Sequence, residues 1–425
     1  MMKVLQKLLA FFSRLILNRY KPKVVGITGS IGKTSTKEAC FTVLKNKFSV
    51  RRNVKNYNNE IGVPLTIIGA ETGGRSLFKW LRVFVKAFKL WIKKDPDYPK
   101  VLILEMGADK PGDIRYLTGI APLDIGIITK VSPVHIEFFG TIEKIAREKG
   151  SLIRNFGEKQ IAILNFDDKL VRAMAGSTPA RVISYGFAED AVVKVIGANV
   201  SLENDRIKGL SFKLVYQGST VPMFLPGVIG FHQLYAAMAG AACGIALGMN
   251  MVDISQALQL YRAPKGRMHL IDGINGSTII DDSYNSSPDA AAAAIEAAGK
   301  LPRRGQLIGA FGEMLELGDL AVEKHQELGQ KAVAAGFNRI YAVGKLANQI
   351  RKGASIAGMN LKNIEIFENS DQAAKKIIQN IQTGDLILIK GSQGPRMEKV
   401  TKALMAHPER ATQLLVRQSK AWLKQ

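Results

Sequence analysis

Between Gly29 and Thr34 the chain reads Gly-Ser-Ile-Gly-Lys-Thr. The apolar run Lys23–Thr28 ahead of it has the pattern of a short buried strand, and Lys33–Lys45 that of a helix. Strand, glycine-bearing turn and helix in this order make a cradle for an anion. Gly29 and Gly32 let the backbone fold around it, the amides near Ser30 and the helix N-terminus point at it, Lys33 reaches terminal phosphoryl oxygens, and Thr34 can ligate Mg²⁺. Ile27 stands where the common pattern has its first glycine, with Gly26 one place earlier. The order of elements, more than the Gly-Lys-Thr triplet, marks a nucleotide site and an α/β phosphate-loop fold.

The residues that follow fit such a fold. Val101–Leu104 is an apolar run ending in Glu105, and a carboxylate at the C-terminal end of a parallel strand is where a second Mg²⁺-directed group belongs. Asp124–Val131 reads as the next buried strand and delivers His135, which stands open to either a structural or a ligand role. Residues 263–269 form a Pro/Gly-marked junction. Beyond it the strand-like runs Ser277–Ile280, Gln306–Ile308, Arg339–Val343, Ile364–Phe367 and Leu386–Ile389 alternate with helical patterns. That alternation predicts a second, Rossmann-like α/β domain with a largely parallel sheet. At one domain per roughly 150 residues, 425 residues accommodate this division. The predicted boundaries are an N-terminal helix at 1–22, a nucleotide-binding central domain at 23–262 with an insertion at 75–94, and a C-terminal domain at 263–425. Cys40 and Cys243, the only cysteines, support neither a disulfide framework nor a zinc ribbon, which fits a reducing cytoplasm.

Lys+Arg 59 against Asp+Glu 36 gives a net charge of +23, pointing to phosphate-bearing ligands, nucleic acid or an anionic membrane. Residues 1–23 hold six basic and no acidic residues, and residues 75–94 hold seven and none. In both segments the cations recur at helical spacing, with Leu8, Phe11, Phe12, Leu15 and Ile16 in the first and Trp80, Leu81, Phe84, Phe88 and Trp91 in the second on other faces. Such helices either pack their apolar side on the protein or lie in a bilayer interface, and aromatics opposite a cationic stripe favour the interface. Basic residues at 3, 7, 14 and 19 interrupt the first segment too often for a membrane span, and no secretory cleavage pattern follows. No nucleic-acid-binding motif accompanies the charge.

Four stretches carry a family resemblance: Thr28–Thr34, Asn58-Asn59-Glu60-Ile61-Gly62-Val63-Pro64, Glu105-Met106-Gly107-Ala108, and His135-Ile136-Glu137-Phe138-Phe139-Gly140. They resemble the central domain of the Mur ligases, ATP-dependent amide-forming enzymes of bacterial cell-wall synthesis. Asp282-Ser283-Tyr284-Asn285 with Pro288, Gly312–Gly318 with His325, and Lys390-Gly391-Ser392 with Arg396 resemble the members that add D-alanyl-D-alanine to a muramoyl tripeptide. The resemblance covers residues 23–425, and 22 residues stand where those ligases carry a sugar-nucleotide domain. It implies ATP and Mg²⁺ as cofactors, with Thr34, Glu105, His135 and a carbamylated Lys149 as metal ligands. It also implies that Arg267 contacts the ATP phosphates across a domain gap and Asp282 the ribose. Gln233 stands in the adenine-side motif, where the family usually has asparagine. Asn58, Asn59, Ser283, Tyr284, Asn285, Lys390 and Arg396 fall to the muramoyl-peptide acceptor and D-alanyl-D-alanine.

The chemistry implied is γ-phosphoryl transfer to a carboxylate followed by attack of an amine on the acyl phosphate, with Lys33, His135, Lys149 and Arg267 as catalytic residues. The expected setting is the cytoplasm, peripheral to the inner face of the membrane. The competing reading is an ATP-binding scaffold of the wall-synthesis machinery, or a ligase for another amine and carboxylate.

Overall fold

Helix α1 (Met2–Tyr20) leads into β1 (Lys23–Thr28), the turn at Gly29–Gly32 and helix α2 (Lys33–Leu44). This computed structural model describes residues 2–54, 57–133, 136–203 and 206–423. After β2 (Val50–Arg52) come α3 (Gly62–Ile68), α4 (Leu77–Ile92), β3 (Val101–Glu105), α5 (Asp113–Ile120), β4 (Ile125–Ile128), α6 (Ile136–Phe139) and α7 (Ile142–Gly150). Then follow β5 (Ile161–Asn165), α8 (Lys169–Ala173), β6 (Arg181–Gly186), β7 (Val193–Glu203), β8 (Arg206–Tyr216), β9 (Ser219–Pro226), α9 (His232–Ala246) and α10 (Met251–Leu258). The nine strands form one sheet in the order β2-β3-β1-β4-β5-β6-β7-β8-β9, parallel from β2 through β7. β1, β3 and β4 are near-continuous apolar runs because helices cover both faces of a parallel sheet. On one side, α1, α3 and α4 close over a core that includes Leu9, Ile16, Leu65, Ala87, Leu102 and Leu104.

The remaining elements are β10 (His269–Asp272), β11 (Thr278–Asp282), α11 (Pro288–Gly299), β12 (Leu307–Gly312), α12 (Ala321–Ala334), β13 (Arg339–Val343), α13 (Ala347–Ile356), β14 (Ile364–Phe367), α14 (Ser370–Asn380), β15 (Leu386–Lys390) and α15 (Glu398–Leu404). Their six strands order as β10-β11-β15-β12-β13-β14, with β10 antiparallel to β11 and the others parallel. Successive side chains of β15 alternate between two cores: Leu386 and Leu388 on one face, Ile387 and Ile389 on the other. A strand buried on both faces therefore reads as an unbroken apolar run.

The chain falls into two compact units. The first comprises Met1–Ala198, Phe212–Phe224 and Leu234–Tyr261, and the second Asn199–Ser211, Leu225–Gln233 and Arg262–Gln425. Each is an α/β layer structure around a mostly parallel sheet, as the alternation of runs predicts.

Candidate active site

In the first unit the turn after β1 is held in a fixed shape by its neighbours. Gly29 has φ +145°, and a Cβ there would lie 2.0 Å from Thr129 Oγ1. Gly32, at φ +87°, occupies the left-handed region at the start of α2. The Ser30 amide donates to Lys130 O at 2.6 Å, and Thr129 Oγ1 donates to Ile31 O at 2.6 Å. β4 thus fixes the loop from one side. β3 does so from the other, where Thr28 Oγ1 donates to Met106 O at 2.8 Å. The loop sits at the C-terminal ends of the adjacent strands β3, β1 and β4, where ligands gather in open parallel sheets.

Side chains converge on it. Lys33 Nζ curls over the loop and donates to Gly29 O at 2.6 Å. Thr34 Oγ1 donates to the Glu105 carboxylate at 3.2 Å, and Asn58 Nδ2 donates to Glu105 Oε1 at 3.3 Å. Glu105 is only 4% exposed. Its charge is matched by Lys37 Nζ at 3.4 Å, and its amide donates to Asn53 Oδ1 at 2.6 Å. Neither Lys37 nor Asn53 carries a motif in the sequence. Lys37 lies one helical turn beyond Lys33, a spacing that could have drawn notice, whereas Asn53 meets Glu105 only through the pairing of β2 with β3.

A cavity of about 80 Å³ gathers Gly29, Ser30, Lys33, Asn58, Asp109 and Lys149. Lys149, at the end of α7, is 4% exposed. Burial pulls its amine down to about 7, the Lys33 charge adds to this, and Glu148, Asp109 and Asp113 oppose it. Glu148 next to it is committed elsewhere, accepting from the Gly112 and Ile114 amides at 2.8 Å each at the start of α5. Asn59 Oδ1 accepts from the Gly62 amide at 2.9 Å, fixing the start of α3. It lines a second cavity of about 430 Å³ with Asn58, Glu60, Gly107, Asp109 and Gln6 of α1. His135 lies outside the described residues.

In the second unit the loops after β11, β12 and β15, adjacent in the sheet, are stitched together. Lys390 Nζ pairs with Asp282 Oδ2 at 2.5 Å and donates to Asn285 O at 3.1 Å, and both charged groups are buried. The Met268 amide donates to Asp282 Oδ1 at 3.2 Å. Ser392 Oγ donates to Ser286 O at 3.1 Å and accepts from the Leu315 amide at 3.0 Å, joining all three loops. Ser283 is buried and its carbonyl accepts from Arg417 Nη1 at 3.1 Å. The Ser286 hydroxyl, also buried, finds no hydrogen-bond partner among the described residues. Arg267 lies over the Tyr284 ring at 4.4 Å, and Gln233 Nε2 donates to Arg267 O at 3.4 Å. His232, beside Gln233, is driven down to about 4 by burial and by the Lys390 and Arg267 charges, against the pull of Asp282.

Arg396 has φ 55° and donates to Glu398 Oε1 at 2.5 Å. Glu398 Oε2 takes Arg417 at 3.1 Å, so one buried carboxylate holds two guanidinium groups. Sequence reading does not reach Arg417, whose partners Ser283 O and Tyr284 O in the β11 loop lie over a hundred positions away, nor Glu398, which is placed only by the two guanidinium groups it holds. His325 fastens the loop after β12: its Nε2 accepts from the Met314 amide at 2.8 Å and its Nδ1 donates to Ala321 O at 2.6 Å. Burial holds it below the usual histidine range, in keeping with a neutral ring.

These two arrangements can be set beside known proteins. The Mur ligase middle domain matches residues 87–244, and the Mur ligase, glutamate ligase domain matches residues 266–393. The UDP-N-acetylmuramoyl-tripeptide–D-alanyl-D-alanine ligase of Bacillus subtilis is 30% identical over 391 residues, spanning 91% of this chain and 76% of that one. That of Mycobacterium leprae is 32% identical over 398 residues, spanning 87% and 71%. Among solved structures, the MurF ligase of Thermotoga maritima in complex with ADP matches with a TM-score of 0.77 at 28% identity, covering 95% of this chain and 84% of that one. With both family models matched and relatives of 30% identity or more along most of its length, the chain belongs to the Mur ligase family.

Proposed function

We propose that this protein is an ATP-dependent, ADP-forming amide ligase of peptidoglycan precursor synthesis, joining D-alanyl-D-alanine to the carboxylate of a muramoyl tripeptide. The observation that carries the reading is the cavity where Lys33, Asn58 and Lys149 meet the phosphate loop, with Thr34 and Glu105 hydrogen-bonded beside it.

The chemistry follows from those groups. A carboxylate oxygen of the acceptor attacks the γ-phosphorus, the bond to the β-phosphate bridging oxygen breaks, and ADP leaves. The dipeptide amine then attacks the acyl carbon, loses a proton and expels phosphate, which carries off one carboxylate oxygen. Lys33 and the loop amides offset the charge that develops on the transferring phosphoryl group, which is the dominant catalytic term in such reactions. One carboxylate and one hydroxyl within hydrogen-bond reach of each other fit a Mg²⁺ ion that takes its other ligands from phosphate and water, so Thr34 and Glu105 would hold it. Such an ion neutralises phosphoryl charge and orients the oxygens.

Lys149, held near 7, is substantially neutral at physiological pH. That is the form in which an amine combines with carbon dioxide, and a carbamate there would turn repulsion from Lys33 into attraction. Arg267, Asp282 and Gln233 are our candidates for ATP phosphate, ribose and adenine contacts. Ser283, Tyr284, Asn285, Lys390 and Arg396 are those for the peptide substrates, with Lys390 ordering the loop through Asp282. Reaction in the cytoplasm, at the inner face of the membrane, completes the reading.

The test is ADP release with ATP, Mg²⁺, D-alanyl-D-alanine and UDP-N-acetylmuramoyl tripeptide. Release is expected only when both the peptide acceptor and the dipeptide are present, and Lys33→Ala should lower it by at least about a thousandfold. Unchanged release in that variant, or release indifferent to the acceptor, contradicts the proposal.

A further inference from the structure

α1 and α4 run side by side in parallel, with Phe12 against Phe84 at 6.0 Å between ring centroids and Arg19 Nη2 donating to Ile92 O at 3.0 Å. Each helix divides into three faces. α1 buries Leu9, Ser13 and Ile16, and α4 buries Val83, Ala87 and Leu90. Turning outward from the seam between them, α1 leaves Leu8 and Phe11 exposed, while α4 exposes Leu77, Leu81, Val85 and Phe88. Exposure reaches 54% for Phe11, 58% for Leu81 and 48% for Phe88. Beyond these apolar strips, at 100° per residue, lie the cations: Lys3, Lys7 and Arg14 on the far flank of α1, Arg82 and Lys89 on that of α4. No acidic residue occurs in either helix, and among the described residues none of these cations forms an ion pair.

An apolar ridge of this size is uncommon on the free surface of a soluble protein. Its cationic rims make an acidic or phosphate-rich surface the complementary partner, and rings and aliphatic chains between two cationic rims match the depth profile of a bilayer interface. Among the described residues no helix is long and apolar enough to cross a membrane, so the pair would lie on one. We propose that the outer faces of α1 and α4 together form a docking surface for an anionic phospholipid bilayer, both helices lying in the interface plane with Leu81, Phe88 and Phe11 inserted. The 430 Å³ cavity takes one wall from Gln6 of α1, whose amide donates to Glu60 at 3.0 Å, and shares Asn58, Gly107 and Asp109 with the phosphate-loop cavity. The docked helix therefore lines a cavity that neighbours the phosphate-loop cavity. This use of the surface rests on the ligase reading, and it suits an acceptor carboxylate borne on a lipid-anchored molecule.

The test is co-sedimentation of the full chain with vesicles of phosphatidylcholine alone, or with about a third phosphatidylglycerol, at low and high salt. Binding is expected to the anionic vesicles, with a blue shift of tryptophan emission, and to fall as salt rises. The double variant Leu81→Glu, Phe88→Glu should partition about a hundredfold or more weakly. Arg82→Gln with Lys89→Gln should weaken binding about fivefold per cation on anionic vesicles only. Both variants should keep the wild-type far-ultraviolet dichroism and soluble ADP release, since the substituted side chains are exposed. Equal binding to both vesicles, or to neither, overturns the proposal. So does a wild-type dimer in solution that the double glutamate variant converts to monomer without any vesicle binding. Vesicle binding requires no turnover, so a chain that docks but releases no ADP keeps this surface and loses the ligase reading, and the reverse result does the opposite.

Discussion

Lys149 is the residue whose energetics and chemistry pull in opposite directions. Its folded value near 7 lies below the unfolded lysine's 10.5, so between those pH values the unfolded chain holds the extra proton and stability rises with pH. Below pH 7 the burial cost stands in full, on the order of a few kcal/mol. Lys149→Met is therefore expected to be more stable than wild type at pH 6 to 7 in buffer free of carbon dioxide, to lose that advantage above about pH 10, and to lose turnover throughout. Denaturant titrations across that pH range check it. His325 behaves differently. Replacing it with Ala leaves the buried Met314 amide without its acceptor, which should cost about 2 kcal/mol and loosen the loop after β12. Equilibrium unfolding reads that loss, and a stability equal to wild type argues against an anchoring role. Lys33 and Thr34 were legible because strand, turn and helix fix their places within a short stretch of chain, and Glu105 because it ends the apolar run of a buried strand. Arg417 and Glu398 were not, because nothing local marks a cation that serves carbonyls 133 and 134 positions away.

At the scale of elements, apolar runs located the parallel strands well, since burial on both faces leaves little room for polar residues. Val101–Leu104 extends in the structure only to Glu105, and Leu386–Ile389 only to Lys390. The parallel strands β2, β5 and β6 were nevertheless not among those read, and two more strands escaped for a different reason. β10 is a four-residue antiparallel edge strand with half-exposed positions, and β7 alternates irregularly between buried and exposed residues, so neither forms a continuous run. The basic helix α4 was legible as amphipathic, but its division into a buried strip and a separate exposed apolar strip depends on α1 packing beside it. The α12–α13 pair offers a sharp test of packing. A Cβ on Gly353 would fall 1.9 Å from Gln326 O, so the two backbones approach too closely for any side chain. Gly353→Ala should force the helices apart at a cost of about 1–3 kcal/mol, read as a lower unfolding midpoint. A midpoint equal to wild type would mean that the helices slide freely.

Over the whole molecule, the charge of +23 separates into two roles. Thirteen cations lie in residues 1–23 and 75–94, without a single carboxylate, and five of them, Lys3, Lys7, Arg14, Arg82 and Lys89, flank the exposed apolar faces of α1 and α4. The remaining excess belongs to a body whose two sheets each present loops at the C-terminal ends of three adjacent strands. One set of loops carries Lys33, Thr34 and Glu105, and the other Asp282, Lys390 and Arg396. The central claim is that the first set passes a phosphoryl group to a carboxylate before any amide forms. The most direct measurement labels the tripeptide's reacting carboxylate with heavy oxygen, incubates it with ATP, Mg²⁺ and D-alanyl-D-alanine, and weighs the released phosphate and the peptide by mass spectrometry. The account predicts one labelled oxygen in each phosphate and a pentapeptide product that has lost it; unlabelled phosphate, or labelled phosphate without amide, would contradict it.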